Sequence, residues 1–147
     1  MSAQSLSAPE SLSIIGERLF VSDTGNNRVL VWNTIPTQTQ QAADYVIGQL
    51  NMTTGTANGP GLSGLSFSSP IGIYYGAGRL FINDCLNQRT LGWSSLPTQT
   101  GVSADLVLGQ RSLSTSATQP VDATSNPCAT GISGNFHLPG TKRPEGY

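Results

Sequence analysis

Apolar residues along this chain come in short runs, and polar stretches rich in Gly, Asn, Pro, Ser and Thr separate them. Each run holds five or six residues dominated by Val, Ile, Leu and aromatic side chains, which is typical of β-strands and too short for most helices. The turn residues between the runs indicate hairpins. The pattern therefore predicts an all-β fold. The eight runs lie near residues 11–15, 18–23, 28–33, 44–48, 71–75, 79–84, 89–94 and 105–109.

The last four runs repeat the first four. Arg18–Asp23 returns as Arg79–Asp84, at an offset of 61 residues, and the match continues without a gap. Between residues 18–49 and 79–110, 17 of 32 aligned positions are identical, which chance does not produce. Internal repeats of this length are typical of solenoids and propellers. The chain is therefore organised as two copies of a four-stranded unit.

Short segments outside the aligned core extend the repeat. A proline lies nine residues before the core in both copies, at Pro9 and Pro70. The segment Asn135–Pro139 is similar to Ser66–Pro70, at an offset of 69 residues, and begins a third copy. The pattern then stops, so the third copy is a stub.

The repeated core resembles a known family. Leu19–Trp32, read as Leu-Phe-Val-x-Asp-x-x-x-Asn-Arg-Val-Leu-Val-Trp, is similar to the core of the NHL repeat. Pro9 and Pro70 match the lead-in proline of that family, and Ala43–Gln49 resembles the phrase that ends the repeats of bacterial members. The resemblance implies a partial β-propeller made of two four-stranded antiparallel blades. The turn geometry of the second copy stays open, because it departs from the first at Cys85, Leu86, Gln88 and Gly92.

Two blades and a stub do not complete a propeller. NHL-type propellers close with about six blades, and a blade buries both faces only against neighbours. We therefore expect a homo-oligomer, with a trimer of two-blade units closing the ring by cyclic symmetry. The alternative is a fragment of a larger NHL propeller with no independent activity. The parts of the chain are the first NHL-like blade with its connecting loop (1–66), the second with a long loop (67–134), and the stub with an unmatched tail (135–147).

Antiparallel strand order places the hairpins between second and third strands on the same rim as the connections between blades. The connections near residues 50–66 and 111–135 are long enough to be functional. We expect this rim to bind a protein, peptide or glycan, and a plain Ser-, Thr- and Gly-rich linker is an equal alternative. The hairpin residues predicted to contact the ligand are Thr24, Asn26, Asn27, Asn87 and Gln88. The resemblance implies architectural roles for Asp23, Arg28, Trp32, Asp84, Arg89 and Trp93.

The sequence contains few residues or motifs that could form a catalytic site. His137 is the only histidine, and no nucleophile elbow or phosphate loop is present. We predict no catalytic residue, no metal site and no cofactor, and a metal-dependent lyase or hydrolase assembled across subunits is the alternative. Cys85 and Cys128 match no zinc pattern. Both are expected on the same rim, so a disulfide between them is geometrically feasible, and two reduced thiols are the alternative.

The charge and hydropathy of the chain argue against two classes of partner, nucleic acids and membranes. Seven Lys and Arg stand against eight Asp and Glu, so the chain has no basic field for nucleic acid. No run approaches the roughly 18 apolar residues of a membrane span, so we expect no membrane partner. The N-terminus lacks the basic and apolar regions of a signal peptide. The chain as written is expected in the cytoplasm, although NHL family members are often exported.

Overall fold

The computed structural model describes residues 1–116 and confirms the all-β prediction. All eight predicted strands are present, in two four-stranded antiparallel sheets with sequential strand order. In residues 1–116 the helical elements are two single 3-10 turns, and no helix there is long and apolar enough to cross a membrane. The first sheet contains β1 (Pro9–Ile15), β2 (Arg18–Asp23), β3 (Arg28–Trp32) and β4 (Tyr45–Ile47). The second contains β5 (Pro70–Gly76), β6 (Arg79–Asp84), β7 (Arg89–Trp93) and β8 (Leu106–Leu108).

The hairpin between the second and third strands has the same backbone in both sheets. Asn27 and Gln88 end the two 3-10 turns, both at a φ of 52°, with ψ of 43° and 45°. At Gly25 a Cβ would lie 2.6 Å from the Ser7 Oγ, so a larger residue there requires the serine side chain to move. The equivalent Leu86 directs its side chain to solvent and is 54% exposed. The residue changes in the second copy therefore leave the turn geometry intact.

Each sheet has two different apolar faces, which we name after their aromatic residues. Cross-strand pairing of Phe20 with Val31 places both on one face, the Phe face, and pairing of Leu19 with Trp32 places both on the other, the Trp face. The Phe face holds Phe20, Val29, Val31, Tyr45 and Ile47 in the first sheet and Phe81, Thr90, Gly92, Leu106 and Leu108 in the second. The Trp face holds Leu19, Val21, Leu30, Trp32 and Val46 in the first sheet and Leu80, Ile82, Leu91, Trp93 and Val107 in the second.

The two sheets stack through unlike faces. One buried cluster joins the Phe face of the first sheet to the Trp face of the second. Phe67, which precedes β5, lies fully buried in this cluster and meets Trp93 edge to face, with ring centroids 6.3 Å apart. Because equivalent sheets meet through different faces, the contact runs head to tail. The Trp face of the first sheet and the Phe face of the second are left as the two ends.

The structural repeat begins before the lead-in proline. The backbone N–H of Ala43 donates to the carbonyl of Ala3 at 2.9 Å, and that of Ala104 donates to the carbonyl of Gly64 at 2.9 Å. Each pair holds the segment before the first strand of a sheet against the residues before its last strand. The repeating unit is therefore longer at its N-terminal end than the aligned sequence indicated. We call residues 2–8 and 63–69 the lead-in segments.

Candidate functional site

A buried ion pair holds the hairpin of the first sheet to its lead-in segment. Arg28 Nε donates to Asp23 Oδ2 at 2.6 Å, and both side chains are fully buried. The other guanidinium N–H groups of Arg28 donate to the backbone carbonyls of Ser2, Ser5 and Met52. One arginine thus joins the hairpin, the lead-in segment and the connection that follows β4.

The second sheet contains the same arrangement. Arg89 Nε donates to Asp84 Oδ2 at 2.6 Å, with both side chains fully buried. Arg89 also donates to the carbonyls of Ser63, Ser66 and Leu113, which are the equivalents of the three carbonyls in the first sheet. Both predicted architectural pairs therefore connect three segments of their own repeat. We call each set the arginine clamp.

Hydrogen-bond donors of the protein surround the aspartate carboxylate of each clamp. Asp84 Oδ1 accepts from the Ser68 backbone N–H at 2.7 Å, and Oδ2 accepts from Asn87 Nδ2 at 2.8 Å in addition to Arg89. Burial raises the pKa of Asp84 above its ordinary value, and the hydrogen bonds from Ser68, Asn87 and Arg89 act against that rise. The corresponding donors to Asp23 are Ser7, Asn26 and Arg28.

The two tryptophans are buried in matching settings. Trp32 Nε1 donates to the Gln41 carbonyl at 3.0 Å, and Trp93 Nε1 donates to the Val102 carbonyl at 3.2 Å. Trp93 lies between the sheets, whereas Trp32 lies on the end face of the first sheet and is still only 7% exposed. Both side chains are packing residues in the described structure.

The hairpin residues predicted to bind a ligand lie on one rim, beside the connection between the sheets. Thr24 Oγ1 donates to the Pro70 carbonyl at 2.6 Å. Asn27 Nδ2 donates to the Gly55 carbonyl at 2.9 Å, and its Oδ1 accepts from the Ser69 backbone N–H at 2.9 Å. Thr24 and Asn27 therefore join the two repeats, and their contact with a ligand stays a prediction.

The other three predicted rim residues also take part in this polar network. Asn87 is buried and exchanges two amide hydrogen bonds with Asn58, at 2.8 and 3.0 Å. Asn26 is half-buried and donates to the aspartate of its own clamp. Gln88 is half-buried, and its backbone carbonyl accepts from Gln110 Nε2 at 3.2 Å. The contact of these three residues with a ligand also stays a prediction.

A cleft of about 210 Å³ opens along the connection after β4, next to the first hairpin. Gln49 is buried there, and its Nε2 donates to the carbonyls of Asn27 and Thr56 at 3.0 Å each. Leu50 is 59% exposed at the same place. Sequence reasoning included this connection in the rim but singled out none of its residues as ligand-binding, because Gln49 repeats as Gln110 in the aligned core and the residues after it lie outside the alignment. The lining includes Gln49, Leu50, Asn51, Thr54, Thr56 and Pro60.

Titratable groups form no metal centre in the part of the chain that the structure describes. Within residues 1–116, no three His, Cys, Asp or Glu side chains are placed to hold an ion. His137, Cys128 and the third-repeat stub lie outside the described residues, so the predictions on them stay predictions. Cys85 is buried at the position that Thr24 occupies in the first sheet.

Two exposed apolar side chains at the end faces have equivalents that are buried between the sheets. Leu6, in the first lead-in segment, is 45% exposed, whereas the equivalent Phe67 is fully buried. On the other end face Leu108 is 50% exposed, whereas the equivalent Ile47 is 3% exposed. The end faces therefore present the same kinds of surface that meet inside the molecule. Further exposed apolar residues there are Leu12 and Ile14 on the Trp face and Tyr74 on the Phe face.

No protein-family model matches this chain, and no curated protein matches it.

Proposed function

We propose that the two sheets are adjacent blades of an NHL-type β-propeller, in a non-enzymatic interaction module that self-assembles into a closed ring. The sequential antiparallel strand order and the repeated arginine clamp support the blade assignment. The head-to-tail stacking of the sheets is the observation that carries the assembly. A contact between unlike faces of equivalent units can continue from unit to unit, and it forms a ring when the rotation between units closes.

The exposed ends support self-assembly over a two-blade monomer. The Trp face of the first sheet and the Phe face of the second are the two partners of the internal contact, each without its counterpart from within the described sheets. Leu12 and Ile14 at one end and Tyr74 and Leu108 at the other are each at least half exposed. Exposed apolar patches of this kind mark protein–protein contacts. In a ring of three copies, each end face of every copy packs against the complementary face of a neighbour.

Ligand binding is assigned to the rim that carries the cleft beside Gln49. The cleft presents amide and hydroxyl groups of Asn51, Thr54 and Thr56 around the exposed Leu50. Such a lining suits a ligand rich in peptide or hydroxyl groups, that is, a protein, peptide or glycan. Probing peptide and glycan arrays with the labelled protein tests this part, and retention of neither class contradicts it.

The mass in solution tests the assembly. Light scattering behind a sizing column at micromolar concentration is expected to give three times the chain mass of 15.4 kDa. A stable mass of one chain over the whole accessible concentration range would overturn the ring. A dimer or tetramer would keep self-association and overturn the three-copy geometry.

A further inference from the structure

A phenylalanine ring packs on a glycine at the contact between the two sheets. A Cβ built on Gly48 would lie 2.1 Å from Cδ2 of Phe67, so only glycine lets the ring lie there. Gly48 has a φ of +90°, which also favours glycine, and Phe67 has no exposed surface. The lead-in segment of one repeat thus inserts its apolar residue into a glycine slot at the end of the preceding repeat.

Both partners of this contact, the apolar lead-in residue and the glycine, have equivalents on the end faces. Leu6 occupies the position of Phe67, because Ser7 N–H binds Asp23 as Ser68 N–H binds Asp84. Leu6 is nevertheless 45% exposed.

The glycine half lies at the other end of the molecule. Gly109 occupies the position of Gly48 and has a φ of +86°, but it is exposed, whereas Gly48 is buried. The atoms nearest to a Cβ at Gly109 are backbone atoms of Gln88 and Arg89, and among residues 1–116 no ring fills this slot.

We infer that Leu6 of one copy inserts into the Gly109 slot of the next copy, as Phe67 inserts into the Gly48 slot within the chain. The inference rests on the proposed ring and names the contact that would close it. Leu6 and Gly109 lie at opposite ends of the stacked sheets, so the two meet only between copies. We assign the slot to a second copy because the Trp face beside Leu6 and the Phe face beside Gly109 are the two partners of the internal interface. Phe136, which lies outside the described residues and is similar in sequence to Phe67, is the other occupant that the test must separate.

Polar contacts at the other end of the internal interface, away from the slot, predict how strong the contact between copies is. Arg18 Nη1 and Tyr45 Oη both donate to the Pro97 carbonyl, at 3.3 and 2.7 Å. In the second sheet the arginine is retained as Arg79, but Leu106 replaces the tyrosine. The contact between copies therefore lacks a hydroxyl donor that the internal contact has. Association is expected to be concentration-dependent and weaker than the stacking within the chain.

Sedimentation velocity over a concentration series tests the contact through both partners. Leu6→Ser is expected to weaken association by about tenfold or more, the loss typical of removing an apolar anchor, whereas Leu6→Phe is expected to tighten it. Leu86→Ser, at a leucine that is 54% exposed and lies outside the proposed contact, serves as the matched control and leaves association unchanged. Gly109→Val is expected to block the slot and weaken association at least as much as Leu6→Ser.

A second control separates the slot from backbone strain. Gly61 also has a φ of +86°, and a Cβ there meets nothing within 4 Å, so Gly61→Val imposes the same strain without filling a slot. Equal loss of association in Gly61→Val and Gly109→Val overturns the inference. An oligomer that ignores changes at both Leu6 and Gly109 also overturns it, while the proposed ring stands. Unchanged association in Leu6→Ser together with a lower melting temperature in Phe136→Ser would place Phe136 of the same chain in the slot and likewise overturn the inference. Monomers in the wild type and in Leu6→Phe overturn both.

Discussion

The Phe face of the first sheet lies against the second sheet, whereas the Phe face of the second sheet is an end face of the molecule. The residues differ accordingly. Tyr45 is buried and donates its hydroxyl across the interface, and Leu106 stands in its place on the end face. Val31 is fully buried, and Gly92 replaces it. The Phe face thus differs between the repeats in its residues as well as in its surroundings.

The Trp faces show the opposite behaviour. Leu19, Leu30 and Trp32 return unchanged as Leu80, Leu91 and Trp93, although one set lies at an end and the other between the sheets. An end face that keeps the side chains of a buried interface is consistent with the proposed contact between copies. The comparison thus separates a face whose residues are kept from one whose residues have diverged, and three changes to the chain examine how far the two repeats are equivalent.

The largest expected effect comes from the arginine clamp, the feature in which the repeats do not differ. Arg28→Met and Arg89→Met are each expected to lower the free energy of unfolding by about 3–5 kcal/mol, because each leaves a buried aspartate without its counter-charge. Urea unfolding followed by tryptophan fluorescence measures the loss. The exposed Arg111→Met is the control and is expected to unfold as the wild type does. A large loss at one clamp and none at the other would contradict the equivalence of the repeats.

The next effect compares the two lead-in residues directly. Phe67→Ala is expected to cost about 3–5 kcal/mol of folding free energy, because it leaves a cavity between the sheets. Leu6→Ala is expected to cost less than about 1 kcal/mol, since its side chain is already partly in water. Thermal unfolding of dilute protein, where copies are apart, measures both. Equal losses of folding free energy would show that Leu6 and Phe67 have the same surroundings. That result would contradict the difference in their burial.

The strands and their pairing could be predicted because their signals are local. Each strand combines a short apolar run with turn residues at its ends, and the offset of 61 residues defined the second sheet once the first was recognised. The buried pairs Asp23–Arg28 and Asp84–Arg89 were singled out because they occur in both copies. Their hydrogen bonds to distant carbonyls could not be predicted, since those carbonyls belong to backbone and carry no residue signature.

The contact between the sheets could not be predicted because it depends on which faces meet. Leu6 and Phe67 are different residues, and only the shared backbone bonds of the lead-in segments make them equivalent. The cleft beside Gln49 was missed for a similar reason. Its residues come together through a connection that has no repeat and no regular structure, so the sequence pattern carries no information on its shape.

The smallest expected effect concerns the rim opposite the one that carries the hairpins between the second and third strands. There the second repeat has a contact that the first lacks. Asp105 accepts hydrogen bonds from both the backbone N–H and the hydroxyl of Ser94. At the equivalent place Asn33 offers Asp44 its backbone N–H, at 2.7 Å. The Ser94 hydrogen bonds lower the pKa of Asp105 below its ordinary value, so Ser94→Ala is expected to raise that pKa.

The change in the pKa of Asp105 is accompanied by a change in stability, and its sign follows from the difference between the pKa values of the folded and unfolded states. A carboxyl whose pKa is lowered by folding stabilises the protein above its ordinary pKa, and that stabilisation is lost as the pH falls through the folded-state pKa. Asp105 is exposed to solvent, so the stability change is small and the pKa itself is the better readout. A pH titration of the Asp105 carboxyl carbon by NMR measures it, with Ser95→Ala as the control. An unchanged pKa in Ser94→Ala would mean that the hydroxyl contributes nothing that the backbone N–H does not, and the two repeats would then be alike at this rim.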